Sequence, residues 1–344
     1  MTNLNDIHID TNEVLKNIVN KDNQYTIPIF IPHLGCKNEC VFCNQRKISG
    51  ASSDVDIEEV KKLVEERLKS FKQNRKIQIA FFGGSFTGLD KEEQIKFLKL
   101  ANTYVEKGVV ESIRISTRPD YISKDILKLL KRYNVKTIEL GVQSMDEEVL
   151  FESKRGHTSL DVIRAARLIN LYNFELGFQI MVGLPKSTKE KEIETIDRLL
   201  KFKPKQLRIY PVYVLKESQL YEMYKKKDYS PLTLEDAAGR VAEVIGRCRK
   251  SNVSIIRIGL QSTEDISENA KDLIGPVSDN FGEYALSKIV LNEIIKNIPK
   301  EKEGSDEINI YIPKRYISLA VGPKKANKKY LEERYNKKIN IIGE

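Results

Sequence analysis

Three of the four cysteines, Cys36, Cys40 and Cys43, fall within eight residues, separated by three residues and then by two. Thiolates are soft ligands that hold iron–sulfur clusters and zinc. A cubane has four irons, so three cysteines leave one iron without a protein thiolate and open to a small molecule. Zinc is the competing reading, because it prefers four protein ligands and His33, three residues before Cys36, is available as the fourth. Dispersed cysteines would suggest disulfides; this clustering points to a metal or redox site in a reducing compartment. Cys248 lies in a helical pattern at 237–250 and reads as a small core residue.

Other residues with chemical potential also follow apolar runs. Gly83 and Gly84 precede Ser85, and paired glycines let a backbone approach a ligand closely. Ser116 and Thr117 close a third run, and Gln143 closes a fourth. Arg155 comes twelve residues after Gln143, in Arg155-Gly156-His157. A guanidinium fork suits a carboxylate better than a point charge does. Gln179 lies in the fifth run, and Tyr210 and Tyr213 close the sixth, where they are candidates to line a substrate pocket. Tyr210 and His157 are the candidate catalytic side chains, although His157 serves equally well as a loop hydrogen-bonding group.

These residues need a scaffold that brings them together. Strand patterns fall at 27–34, 77–82, 112–116, 137–142, 175–182 and 206–210. Helical patterns alternate with them at 57–72, 91–107, 124–133, 160–171 and 189–202. Such alternation predicts parallel strands with crossover helices. A closed eight-stranded barrel typically takes ~250 residues, so six units predict an α/β partial (β/α)6 barrel. Strands rich in Ile, Val and Phe imply helices on one face and a packed interior on the other. The carboxyl ends of parallel strands are where such sheets carry chemistry, and the cysteine loop follows directly on the first strand.

Beyond Tyr210 the alternation loosens. A helix at 234–250, a strand at 254–258, an aperiodic stretch at 261–281 and a helix at 283–296 lead to a charged linker at 300–306. The end reads as strand 307–312, helix 315–321, loop Gly322 to Lys325, helix 327–335 capped by Asn327, and strand 338–342. The expected division is a polar segment at 1–24, a barrel at 25–260, a connecting segment at 261–304 and a basic tail at 305–344.

The chain has 344 residues and a net charge of +9, which permits a polyanionic partner. From Glu307 to Glu344 nine Lys/Arg stand against four Asp/Glu. No apolar run approaches the ~20 residues of a membrane span, and the longest strand candidate is broken by Pro28 and Pro32. The first residues lack the basic start and apolar stretch of a secretory signal. A cytoplasmic protein without a membrane partner is expected.

Taken together, Cys36, Cys40 and Cys43 after a first strand, with Phe42 before the third cysteine, resemble the radical S-adenosylmethionine (SAM) superfamily. The resemblance implies a [4Fe-4S] cluster on the three cysteines that binds SAM. Electron transfer from a donor such as ferredoxin or flavodoxin then cleaves SAM to a 5′-deoxyadenosyl radical. It also implies that Gly83, Gly84 and Ser85 meet the SAM amino group, with Ser85 in place of the family's acid. Ser116 and Thr117 are then candidates to reach the ribose; by the same resemblance Gln179 lies near the ribose hydroxyls, and Gln143 and Arg155 orient and grip SAM, the arginine at its carboxylate. Within the superfamily, residues 83–87, 116–120, 139–144, 155–157, 257–261 and 275–283 are similar to the radical SAM half of the Elongator catalytic subunit. That likeness implies modification of the tRNA wobble uridine. The residues after Glu283 are too few for the acetyltransferase domain of that family, which places coenzyme A chemistry outside the expectation. The run Val277 to Asn280 is a second departure. The tail order is similar to a KH module, whose GXXG loop clamps single-stranded nucleic acid; here the second glycine is replaced. Lys324, Lys325, Lys328 and Lys329 are its candidate RNA contacts. The alternatives are a radical SAM enzyme acting on a small molecule such as a tetrapyrrole, and a non-enzymatic iron–sulfur protein that binds RNA.

Anaerobic reconstitution is expected to give about four irons and four sulfides per chain, measured by iron and sulfide assay. Stoichiometric zinc without iron uptake would sink this reading.

Overall fold

The computed structural model describes residues 6–15, 18, 24–31, 36, 40–43, 56–71, 76–260, 266–298 and 306–344. His33, the predicted strand end at 32–34, the stretch 261–265 and the linker at 300–305 lie outside the described residues. In chain order the strands are β1 (Asp6–His8), β2 (Gln24–Ile31), β3 (Lys76–Gly83), β4 (Ser112–Thr117), β5 (Val135–Gln143), β6 (Glu175–Val182), β7 (Gln206–Pro211), β8 (Val214–Leu215), β9 (Ser254–Ile258), β10 (Leu273–Ile274), β11 (Glu307–Ile312) and β12 (Lys338–Gly343).

One sheet has the order β2-β3-β4-β5-β6-β7-β9, and every neighbouring pair in it is parallel. The half-barrel therefore has seven strands where six were expected. Strand β8 and the helix Gln219–Lys225 are inserted before the crossover helix Leu234–Cys248. They stretch the spacing of the last unit, and the alternation itself continues. The helices Ile57–Ser70, Lys124–Arg132, Ser159–Leu171, Lys189–Leu200 and Leu234–Cys248 each start after an Asp, Ser or Thr whose side chain accepts a first-turn N–H. Such caps satisfy donors that the helix leaves without partners.

The two faces of the sheet differ in chemistry. Ile79, Phe81, Ile113, Ile115, Ile138, Leu140, Phe178, Leu207 and Ile209 are buried in one apolar core with residues from those helices, such as Val64, Leu127, Ile169 and Leu199. Alternate residues face the other way. That concave face carries Arg114, Ser116, Glu139, Gln179, Gln206, Arg208 and Tyr210, which corrects the expectation of a packed interior. Cys248 does belong to the core: its side chain is fully buried, and burial pushes the thiol up to about 12.

The ends of the chain meet. Strand β1 pairs parallel with β11, and β11 with β12, in a second sheet of order β1-β11-β12. Residues 6–8 of the expected polar segment are thus a strand of the tail's sheet. His8 stacks on Tyr311 at 4.7 Å, and its Nδ1 lies 3.1 Å from a Glu344 carboxylate oxygen. The tail keeps its expected order, with helices Ile317–Val321 and Ala326–Tyr335 between β11 and β12. Asn327 is not the helix cap. It is buried, and its Nδ2 donates to Ser287 O, Ser287 Oγ and Leu319 O at 3.1, 2.8 and 3.0 Å. Gly322 has φ +78°, and a Cβ there would stand 2.8 Å from Asn327 Cγ, so a glycine is needed beside this buried amide.

Asn327→Ala strips these acceptors of their donor and should lower stability by about 2 kcal/mol in urea unfolding. A change within a few tenths of a kcal/mol would show that the amide is not what docks the tail.

Candidate active site

The site sits where the strands of the half-barrel end, and backbone geometry shapes it first. Gly83 has φ +97°, and a Cβ there would lie 2.8 Å from Ile31 O. Only glycine allows β3 to end so close to β2, and Gly84 N then donates to Ile31 O at 3.2 Å. On β5 the register against β6 shifts between Gly141 and Gln143, and Gln143 has φ +68°. A left-handed glutamine is uncommon, and such strain gathers at functional sites. The shift lets the buried Gln143 turn its amide inward, where its Oε1 accepts from Gln179 Nε2 at 3.4 Å.

The cysteine loop is held at Val41. Its N–H donates to Ser153 O at 3.2 Å and its carbonyl accepts from Leu220 N at 2.7 Å. Its side chain is buried with Val149, Leu184 and Leu220. Sequence reading passed over Val41; an apolar residue between two cysteines was the available signal. Cys43 N donates to Cys40 O at 3.0 Å. Cys36 Sγ lies 3.3 Å from Ser85 Oγ, which joins the loop to the end of β3. Cys40 Sγ accepts from Arg155 Nη1 at 3.0 Å. All three thiols are free of disulfides. Among the described residues no three His, Cys, Asp or Glu side chains converge as a single metal ion requires. A cubane takes its three thiolates on three different irons, so it does not ask for that convergence.

Arg155 is the hub. Besides Cys40, it reaches Gly141 O through Nη2 at 2.6 Å, and its buried Nε has no partner. A fork with both terminal nitrogens engaged approaches a carboxylate through Nε and the remaining N–H groups. Arg118, which the sequence reading did not single out, positions it from behind. Its guanidinium binds Asp120 at 3.0 and 3.1 Å and donates to the Arg155 carbonyl. Burial works against the Arg118 charge, but Asp120 more than offsets it. Asp120 is therefore a partner of Arg118. Thr87 and Thr117 share a buried hydroxyl contact of 2.6 Å that closes the site between β3 and β4.

His157 is buried, and neither ring nitrogen has a well-formed hydrogen bond, although the nearby Val142 backbone favours the charged ring. Burial first, then Arg155 and Arg118, push its pKa down to about 3. The ring is neutral near pH 7, which disfavours a proton-carrier role. Ser116 Oγ donates to Glu139 Oε1 at 3.0 Å. Tyr210 OH accepts from Arg208 Nη1 at 3.2 Å on the concave face. Tyr213 is buried with Leu215, Ile266 and Leu273, and burial lifts its hydroxyl to about 12, so packing accounts for it. Lys324, Lys325 and Lys329 are exposed on the tail, and Lys328 pairs with Glu332 at 3.7 Å. The structure thus brings the cysteine, glycine, glutamine and arginine candidates together, while the lysines form a separate group.

Residues 30–199 match the Radical SAM superfamily and residues 204–291 the radical SAM C-terminal domain. An uncharacterized protein of Methanocaldococcus jannaschii is 31% identical over 225 residues, which cover 62% of this chain and 68% of that protein. The chain belongs to the radical SAM superfamily, whose cofactors are a [4Fe-4S] cluster and SAM. A tRNA uridine(34) acetyltransferase of Methanocaldococcus jannaschii is 30% identical over 199 residues, covering 52% of this chain and 37% of that protein. The match thus spans little more than a third of that relative's length. Elp3 of Methanocaldococcus infernus has the same fold, with a TM-score of 0.63 and 22% identity over 81% of this chain and 64% of that one.

The residues present fit both cofactors. Three cysteines that form no disulfide flank the anchored Val41, glycine backbone lies beside them, and an arginine offers a buried, unpartnered N–H. When bound, the cluster and SAM together supply the radical that removes hydrogen from a substrate.

Arg155→Lys should weaken SAM binding on the order of tenfold or more, read by equilibrium binding to reconstituted protein, because a lysine cannot keep both anchors and a further donor. Unchanged SAM affinity would show that Arg155 serves only the loop.

Proposed function

We propose that this chain is a radical SAM enzyme that modifies RNA, of the kind that acts on the wobble uridine of tRNA. Cys36, Cys40 and Cys43 hold the cluster. Gly83, Gly84 and Ser85 receive the SAM amino group, Arg155 its carboxylate, and Ser116 and Gln179 its ribose, while Gln143 orients it. The observation that carries the RNA reading is the 30% identity over 199 residues with an enzyme named for tRNA uridine. Acetyl transfer itself is not part of the proposal.

The tail supports it. Lys324 and Lys325 both adopt left-handed backbone, with φ 52° and 62°, and stand exposed beside Gly322. Tyr330 is also exposed, with Arg334 over its ring at 5.8 Å. Cations beside an exposed ring suit phosphates and an unstacked base. No described helix is long and apolar enough to cross a membrane.

Replacing Lys324, Lys325, Lys328 and Lys329 with alanine should weaken tRNA binding and flatten its log–log salt dependence by roughly 0.7 for each phosphate no longer neutralised. Filter binding across a salt series reads both. Unchanged affinity and slope would make the tail a structural cap.

A further inference from the structure

Beside the SAM contacts, the concave face around Glu139 carries more positive charge than that carboxylate balances; Glu175, on the same face at the start of β6, is paired with Lys136. Glu139 on β5 is buried and serves two guanidiniums through one oxygen: Oε2 is ion-paired with Arg114 of β4 and lies 2.9 Å from Arg208 Nε of β7. Burial alone would favour the neutral acid, but Arg114 and Arg208 hold Glu139 ionised. Two cations on one anion leave one positive charge in excess. Arg257 on β9 adds another. It stands in register with Arg208, so its side chain rises from the same face, and its Nε donates to a neutral group, Gly259 O, at 3.2 Å.

These groups are not equally enclosed. The Arg114 side chain is 4% exposed and lies between Glu139 and Gln206. Arg208 is 17% exposed, with Phe82 under its guanidinium at 4.5 Å. Its Nε faces Glu139 and its Nη1 donates to Tyr210, which leaves Nη2 uncommitted among these contacts. Tyr210 accepts there and keeps its own O–H to donate. Arg208 is also in register with Gln179 of β6, the residue at the SAM ribose in the proposed reading. A purely structural triad would need one arginine per acid and would have no reason to leave the second one partly exposed.

We propose that Arg208, Arg257 and the Tyr210 hydroxyl form an oxyanion subsite for the substrate, taking a phosphate or carboxylate group and holding it on the inner face of the half-barrel. Glu139 positions Arg208 and Arg114 backs the pair, and neither touches the ligand. The subsite places the substrate's charged group on the same level of the sheet as the SAM contacts, which orients the remainder of the substrate toward them. An RNA phosphodiester and a small anionic molecule present the same chemistry, so the subsite does not depend on the RNA reading.

The test uses anaerobically reconstituted protein saturated with SAM, with inorganic phosphate as the probe and phosphorus NMR line width as the readout. Arg257→Gln leaves the buried triad untouched, and Arg208→Gln leaves Glu139 paired with Arg114, so both are expected to fold. Each should weaken phosphate binding about tenfold, and the fourfold alanine variant of the tail lysines should not. Unchanged phosphate affinity in both arginine variants would overturn the proposal, as would a loss confined to the lysine variant. If phosphate binds without SAM but is displaced competitively by it, the oxyanion is that of SAM and the substrate assignment is wrong. Competition by a uridine dinucleotide, and not by acetate, identifies a phosphate source; competition by acetate, and not by the dinucleotide, identifies a carboxylate. Failure to bind tRNA would leave this outcome unaffected.

Discussion

Glu139 lies at the centre of the half-barrel with two guanidiniums beside it, and the arrangement around it follows from that burial. A carboxylate taken out of water must be compensated, and here Arg114, Arg208 and the Ser116 hydroxyl compensate it together. The cross-links run from β4 and β5 to β7, passing over β6 at Gly177, where the absence of a side chain leaves room. Removing one partner of such a pair typically costs about 3–5 kcal/mol, because a buried charge is left alone. The inner face is therefore rigid and charged, while the outer face is apolar and covered by helices. An open sheet with two unlike faces gives one side to stability and the other to ligands.

The proposed SAM site depends on a second kind of constraint, the ending of parallel strands along one edge. Each strand contributes one or two residues there, and loops then lock them. Val41 is clamped by two backbone bonds, Gly83 admits the Ile31 carbonyl, and Arg155 ties the cysteine loop to β5. Arg118 and Asp120 hold Arg155 from behind. None of these contacts is chemically reactive. Their effect is to keep thiols, glycine backbone and guanidinium in place, so that a cofactor meets a prepared surface.

The tail has different physics. Its sheet closes only by pairing the first described strand with the penultimate one, and Asn327 fastens its second helix to Ser287 and Leu319. Exposed lysines in left-handed turns do nothing for that packing. Charge that contributes nothing to the fold is available for a polyanion, and the RNA proposal draws on that availability.

What the residue order determined by itself was local. Cysteine spacing, paired glycines and alternating periods depend on neighbours a few residues apart, and they were enough to place six strands, their helices and the candidate cofactor contacts. Tertiary structure decided whatever rests on distant pairing. Strand β1 finds β11 some three hundred residues later, at Asp6↔Asn309. Ser254–Ile258 becomes the seventh strand because β7 offers it an edge. Asn327 reads as a helix cap until its amide is seen buried against another helix, and Arg118 reads as an ordinary loop arginine until Arg155 folds over it. The charge of the inner face was equally hidden. Arg114, Glu139 and Arg208 are scattered polar residues along the chain, and only the register of the sheet turns them into a network, because side chains on different strands share a face by pairing and not by sequence distance.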